Sequence, residues 1–409
     1  MKTSASRPPS SAMTTKIVAT KMTTTKAALI TLTGLALLGS PACDALSSPG
    51  RFVLSAKTDQ AGHAVLFFTD GVATLDPTLN VAKTVKYPIV PASSGVWETG
   101  LSADGLHGAY SWMDWGDMPA VPGEVPGTRP TPSVVVFGVA DGALEGRLEV
   151  SAESFSLSDD GGTLVVAPGD RNGDRHPPTE IFAVRVADGV KLWTATGKFS
   201  LVENIPGANA VAALTELDPT TPGATAELRI VELSSGATRA TIPLPGLVPY
   251  LPGSLATAAD GSVVAVASAV ELPSSDAAGV ETETHYTIVN VIDGSVVAQF
   301  ASPPHLTPFP DLAVSAGGHV VAGIGNPIWS DGKLVTNWYD GKPQLLIWQD
   351  GVLTGQQPVE LWGKNGPASP MALSADATRL VVPEFEAVRL RSVPDGAVLA
   401  EGRYVKDIF

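Results

Sequence analysis

The run DRNGD, residues 170–174, has residue types at a spacing that could bind calcium. Asp170, Asn172 and Asp174 place oxygen-bearing side chains at alternate positions, as the first ligands of a calcium loop do. Such a loop also needs Gly at its sixth position and Glu at its twelfth. Arg175 stands where the Gly is needed, and no Glu follows at the twelfth position. We therefore interpret the run as a solvated turn, with calcium as the less favoured alternative, and we predict no cofactor.

Sequence motifs typical of catalytic sites are missing. The six histidines are scattered along the chain and show no zinc-ligand spacing. The sequence contains neither a Gly-x-Ser-x-Gly elbow nor a phosphate-binding loop. We therefore predict no catalytic residues and favour a non-enzyme, while residues far apart in sequence could still form a site in a shared channel.

Two segments combine aromatic rings with carboxylates, which suits the binding of a protein or a sugar ring. One lies at residues 112–117 and the other at 329–340. The alternative is that these rings fold back over their own loops. The candidate interaction residues are Trp112, Asp114, Trp115, Asp117, Trp329, Trp338, Tyr339 and Asp340.

The N-terminus has the organisation of an export signal. The apolar run AALITLTGLALLG follows a segment that contains basic residues and no acidic ones, and it ends at SPAC, before Cys43. These residues resemble a bacterial lipoprotein signal, although Ser40 stands where an aliphatic residue is preferred. The resemblance implies a signal peptide over residues 1–42, lipidation of Cys43 and a linker over 43–50. Ordinary secretory cleavage near Ala42 is the alternative, and Met22 is an alternative start.

The charge balance excludes one class of partner. The chain holds 26 basic and 41 acidic residues, and five of the basic residues lie in the signal. A surface with such an excess of acid repels phosphate backbones, so we expect no nucleic-acid partner. Since the chain has one cysteine, the fold must form without an intramolecular disulfide.

A repeated phrase defines the elements that would position these residues. LSADG, LSDDG and AADG each lie between two apolar runs, and SAGG and SADA are degraded versions. Asp-Gly between such runs indicates a tight β-hairpin. A second series of hairpins interleaves with the first, with turns at Asp141, Asp188, Ser235, Asp293, Asp350 and Asp395. One hairpin of each kind gives a four-stranded unit about every 45 to 60 residues, which is typical of a β-propeller blade.

We predict an all-β fold over residues 51–409, a single propeller of seven four-stranded blades. Six units are readable between about Val96 and Gly402, and six or eight blades remain alternatives. The front of the chain supplies three further strands and the RYVKDIF end supplies one. We expect these strands from both termini to form the seventh blade and close the ring, which removes open sheet edges.

The propeller topology places the loops unequally. In a four-stranded meander the first and third turns share one face, and these are the tight repeat turns. The long, Pro-rich connections fall on the opposite face, and insertions on one face of a repeat protein usually mark its working surface. Glu145 and Ala397, just beyond tight turns, are expected near the other face.

The unit IFAVRVADGVKLWTATG resembles the repeat of quinoprotein-type propellers, and the Ser-x-Asp-Gly hairpins resemble WD-repeat-like propellers of bacterial envelopes. Only one unit carries the Trp after its turn, Trp193, and the resemblance implies a fold rather than an activity. Together with the signal, it implies a monomeric, exported lipoprotein on the periplasmic or cell-surface side of a membrane, with an envelope protein as partner. The alternative is an enzyme or a sugar-, quinone- or calcium-binding propeller with a central-channel site.

Overall fold

A computed structural model of the chain forms the basis of the structural description. It describes residues 53–59, 63–75, 81–89, 96–112, 132–169, 179–215, 226–244, 254–272, 281–303, 306–327, 329–330, 333–334, 343–359, 371–384 and 387–403. In these ranges no helix is both long and apolar enough to cross a membrane.

Seven four-stranded antiparallel sheets form a β-propeller, as the sequence predicted. Blade 1 contains β1 (Val53–Thr58), β2 (Ala64–Phe68), β3 (Gly71–Leu75) and β4 (Val81–Lys86). Blade 2 contains β5 (Val96–Leu101), β6 (His107–Trp112), β7 (Ser133–Gly138) and β8 (Leu144–Leu148). Blade 3 contains β9 (Ala152–Leu157), β10 (Thr163–Pro168), β11 (Glu180–Arg185) and β12 (Lys191–Thr196). Blade 4 contains β13 (Phe199–Ile205), β14 (Ala210–Thr215), β15 (Glu227–Glu232) and β16 (Thr238–Pro243).

The remaining three blades follow the same order along the chain. Blade 5 contains β17 (Ser254–Thr257), β18 (Val263–Leu272), β19 (Glu281–Asn290) and β20 (Val296–Ala301). Blade 6 contains β21 (Leu306–Val314), β22 (Val320–Pro327), β25 (Gln344–Gln349) and β26 (Val352–Pro358), with a small hairpin of β23 (Trp329–Ser330) and β24 (Lys333–Leu334) inserted. Blade 7 contains β27 (Ala372–Leu373), β28 (Arg379–Pro383), β29 (Ala387–Ser392) and β30 (Val398–Arg403). The helical content of the described ranges is one 3₁₀ turn, Ala316–Gly318.

Strand composition follows position in the blade. Two of the second strands, β2 (AVLFF) and β14 (AVAALT), are buried along their whole length because they have a strand on either side and a blade on either face. Outer strands such as β8 and β20 are mostly exposed. In blade 3, Val165 of β10 lies opposite Ser156 of β9 and Ala183 of β11, so β10 is paired antiparallel with both of its neighbours.

Ring closure differs from the prediction in one respect. The fourth strand of blade 1 is β4, which directly follows β3, whereas the sequence predicts that the C-terminal run supplies it. Tyr404–Phe409 of that run lie outside the described residues, and Arg403 ends β30 of blade 7. The ring closes through packing instead, because β1 contacts β27 and β28.

The hydrophobic core is divided among the blade junctions. Seven clusters of buried residues each join two adjacent blades. Leu66 and Val381 belong to the cluster that joins blade 1 to blade 7. Tyr286 of blade 5 and Trp348 of blade 6 pack with ring centroids 4.3 Å apart. The ring is therefore held by a continuous series of junctions, without a disulfide.

The repeated phrase forms the first turn of each blade in which it occurs. In blade 2 the Ser102 hydroxyl donates to Asp104 Oδ1 at 2.6 Å and accepts from the His107 amide at 3.0 Å. Asp104 Oδ1 also accepts from the Leu106 amide at 3.0 Å. Gly105 has a φ of 73°, a left-handed conformation that Gly adopts without cost. The phrase is thus explained by turn chemistry.

The tryptophan that carried the quinoprotein resemblance joins two blades. Trp193 in β12 is buried, and its indole N–H donates to the Leu233 carbonyl of blade 4 at 2.6 Å. A Cβ built on Gly236 would lie 2.7 Å from the indole ring, so the turn of blade 4 packs closely against it. This residue stabilises one junction of the ring.

Candidate functional site

The side chains predicted from sequence to form a site lie outside the described residues. Trp112 belongs to β6 and Trp329 to β23, but their side chains are not described. The other interaction candidates, the DRNGD residues and Cys43 fall outside the described ranges altogether: Asp114, Trp115, Asp117, Trp338, Tyr339, Asp340, Asp170, Asn172 and Asp174. Their roles therefore stay predictions.

Strand boundaries show how unequal the two faces of the ring are. The first and third turns of each blade span five residues or fewer, and they share what we call the tight-turn face. The connection between the second and third strands lies on the opposite, long-loop face. In blades 2 to 6 those connections are residues 113–132, 169–179, 216–226, 273–280 and 328–343.

A cavity of about 400 Å³ lies where the first strands of all seven blades converge. Leucines contribute much of its wall, among them Leu54, Leu201, Leu255 and Leu312. Polar residues from several blades also line it, so the wall combines apolar surface with groups that can orient a ligand. A cavity of this size and mixed lining is typical of small-molecule sites.

Charged residues of three blades meet inside the cavity. Lys57 of β1 pairs with Glu203 of β13, with Nζ 3.7 Å from Oε1. Glu98 of β5 accepts a hydrogen bond from the Ser154 hydroxyl at 3.3 Å. That hydroxyl also accepts from the Val202 amide at 3.2 Å, which fixes its position between blades 3 and 4.

Burial inside the channel raises the pKa of Glu98 from its ordinary value of 4.5 to about 8. Two neighbours lower this pKa, the positive charge of Lys57 and the hydrogen bond from Ser154. The negative charges of Glu203 and Glu153 raise it. Glu98 lies on the inner strand of blade 2 and is half-buried, with part of its surface facing the cavity. Loss of hydration dominates, so the carboxyl is largely protonated at pH 7.

The cavity reaches the tight-turn face, where its border consists largely of alanines. Ala103, Ala259, Ala316 and Ala375 all line it, and each follows directly after the first residue of its blade's first turn. Ala316 and Ala375 are exposed. Small side chains at these positions leave the channel border uncovered on this face.

The turns around this border are fastened to one another. Asp159 of blade 3 accepts from the Asn204 side-chain amide and from the Gly207 amide of blade 4, both at 2.7 Å. Between blades 5 and 6, the Gly317 amide donates to Ser262 Oγ at 2.9 Å. These contacts hold the rim of the channel in one arrangement.

Glu145 and Ala397 lie where the sequence predicted them. Ala397 ends the third turn of blade 7 and is exposed, and Glu145 follows the third turn of blade 2. The Glu145 carboxylate accepts from His107 Nδ1 at 2.6 Å, so Glu145 joins two strands of its blade.

Sequence reasoning missed the channel carboxyls, although one signal was present. Glu98 and Glu203 each interrupt a first strand that is otherwise made of apolar and small polar residues, VWETGL and FSLVENI. A charge in the middle of an inner strand is costly unless it faces a cavity or a partner. Within the described ranges, no group of three or more His, Cys, Asp or Glu could hold a metal ion.

Comparisons with known proteins support the fold and leave the activity open. No protein-family model matches the sequence, and no curated protein matches it. The chain is similar to Kuenenia stuttgartiensis hydrazine synthase, with a TM-score of 0.53 and 14% identity over 84% of this chain and 96% of that chain. It is also similar to Hsv2 of Kluyvelomyces marxianus, with a TM-score of 0.53 and 10% identity over 87% and 100%.

A third solved structure is the complex of KlAtg21 with the coiled-coil of AgAtg16. Its TM-score is 0.50 at 12% identity, over 76% of this chain and 85% of that chain. At these identities the similarities show the fold alone, a seven-bladed β-propeller.

Proposed function

We propose that this protein is a non-catalytic interaction scaffold of the cell envelope that binds a protein partner through its long-loop face. The observation that carries the proposal is the loop asymmetry. Five blades place an extended connection between their second and third strands, while every first and third turn is short. A rigid ring that presents variable loops on one face is a common basis for recognition.

The loop sequences support a protein partner. Residues 112–117 and 329–340 combine Trp and Tyr with Asp, and aromatic side chains dominate the binding energy of protein interfaces. The structure of KlAtg21 bound to a coiled-coil shows a propeller of similar fold in a protein complex.

We further propose that Cys43 carries the lipid that tethers the ring to a membrane. Each buried CH₂ of an acyl chain contributes about 0.8 kcal/mol, so two or three chains anchor a protein durably where one does not. Cys43→Ser should therefore move the protein from the membrane fraction to the soluble fraction, with the ring still folded. Metabolic labelling with a palmitate analogue checks the same point. A membrane-bound Cys43→Ser variant, or a wild type that takes up no label, would contradict the anchor.

Affinity capture from detergent-solubilised envelopes tests the scaffold. We expect a protein partner at near-stoichiometric amounts, with no metal or organic ligand needed to retain it. Metal and small-molecule content should be measured on the same purified material. If a small molecule co-purifies at one equivalent and no protein does, the ring is a ligand-binding propeller instead.

A further inference from the structure

The described lining residues of the channel cavity come from the first strands of the blades and the residues that flank them, and they have a chemistry of their own. Four ionisable residues line it: Lys57, Glu98, Glu203 and Asp260. Asp260 is engaged in its own turn, since its Oδ1 accepts from the Ser262 amide at 3.1 Å and from the Ser262 hydroxyl at 2.6 Å. Lys57 pairs with Glu203. In the described residues neither Glu98 nor Asp260 has a cationic partner within salt-bridge distance, and of the two only Glu98 lies on an inner strand.

The carboxyl of Glu98 also has unused hydrogen-bonding capacity. A carboxylate can accept about four hydrogen bonds. Among the described residues, Glu98 accepts one, from Ser154 to Oε1. Its Oε2 has no such bond there, and the cavity lies beside it. A donor placed in the cavity could therefore form further hydrogen bonds to this carboxylate.

The rest of the wall determines the ligand class. The leucines provide an apolar surface for an organic body, and three carboxyl groups against one ammonium group favour a positively charged ligand. We propose that the channel binds a small organic ammonium ion, with its N–H groups on Glu98 and its apolar part against the leucines, and that this ligand enters from the tight-turn face.

Binding is coupled to one proton. At pH 7 the Glu98 carboxylic acid loses its O–H proton to the buffer when the ammonium binds, and the carboxylate then pairs with the cation. Calorimetry in two buffers of different ionisation enthalpy should therefore show the release of close to one proton per ligand. The charge-assisted hydrogen bonds that form are the stronger kind.

The test uses three probes of similar size on the mature chain. We expect 2-phenylethylammonium to bind at least about tenfold more tightly than 2-phenylethanol, because one charge-assisted bond is worth about this factor, and 3-phenylpropanoate to bind more weakly still. Glu98→Gln should remove the preference for the ammonium and the proton release. The control Glu149→Gln should leave both within about twofold, since Glu149 lies outside the cavity with its side chain 65% exposed.

A second variant tests the route of entry. Ala375 is exposed on the channel border, so Ala375→Trp should cover part of the opening without disturbing the core. We expect the association rate of the ammonium probe to fall by about tenfold or more. Unchanged association would contradict entry from this face. Equal affinity for the ammonium and the alcohol, no binding of any probe, or an unaltered Glu98→Gln profile would overturn the site itself.

Discussion

Glu98 links the stability of the ring to pH in a direction opposite to that of most acidic residues. Its pKa in the folded protein is about 8, against an ordinary value of 4.5. Between these two pH values the folded state holds the proton and the unfolded state does not. The free energy of unfolding therefore falls as pH rises through this window, by at most about 1.4 kcal/mol per pH unit. The charged groups that act on the pKa of Glu98 are Lys57, Glu203 and Glu153, and each lies on a different strand.

Glu98→Gln should flatten this dependence and leave the variant more stable than the wild type at pH 8, by up to a few kcal/mol. Urea unfolding at pH 5, 6, 7 and 8 measures it, with Glu149→Gln as the control that keeps the wild-type slope. If the free energy of unfolding changes with pH in the same way for Glu98→Gln and the wild type, Glu98 does not have the raised pKa. A gain in stability on loss of a polar group is the pattern expected where a residue is kept for binding.

At the scale of the elements, the first turn of each blade is the feature that the sequence predicts best. Ser102 and Asp104 make the bonds that their types imply, and Gly105 adopts the left-handed conformation that the turn requires. Strand β4 was missed for a physical reason. As an outer strand it is mostly exposed, so VAKTVK shows little of the apolar pattern that identifies a strand.

The turns of blades 5 and 7 allow a paired test of this explanation. Ala377 has a φ of 53° at the position where blades 2, 3, 5 and 6 place Gly, and Gly261 of blade 5 has a φ of 66°. Ala377→Gly should stabilise the protein by about 1 kcal/mol, because a left-handed conformation costs a residue with a Cβ about that much. Gly261→Ala should destabilise it by about 2 kcal/mol or more, since the new Cβ would lie 1.8 Å from the Pro206 carbonyl oxygen. Thermal unfolding of the two variants checks the signs, and shifts in the same direction would contradict the account.

At the scale of the whole molecule, ring closure creates the features that sequence reasoning could not supply. Glu98 and Glu203 are remote in sequence, and they share a cavity because seven blades converge on one channel. Each blade was recognisable from its own turns, whereas no local pattern shows which inner-strand residues meet across the ring. The division into a tight-turn face and a long-loop face was predictable, because it follows from the order of short and long connections along the chain.

In the proposed scaffold the long-loop face binds the partner, so variants on the two faces of the ring should differ in their affinity for it. Trp115→Ala and Trp338→Ala change the long-loop face. Ile292→Lys and Ala397→Lys change the tight-turn face, where Ile292 is 93% exposed in the third turn of blade 5. Ile292 is a better control than Glu145, which is bonded to His107.

Binding of the captured partner should be measured by surface plasmon resonance for these four variants and the wild type. We predict that each tryptophan variant loses about 2 kcal/mol or more, roughly thirtyfold in affinity, as truncation of a buried aromatic hot spot does. The two lysine variants should bind within about twofold of the wild type. Equal losses from both faces, or no loss from either tryptophan, would contradict the claim.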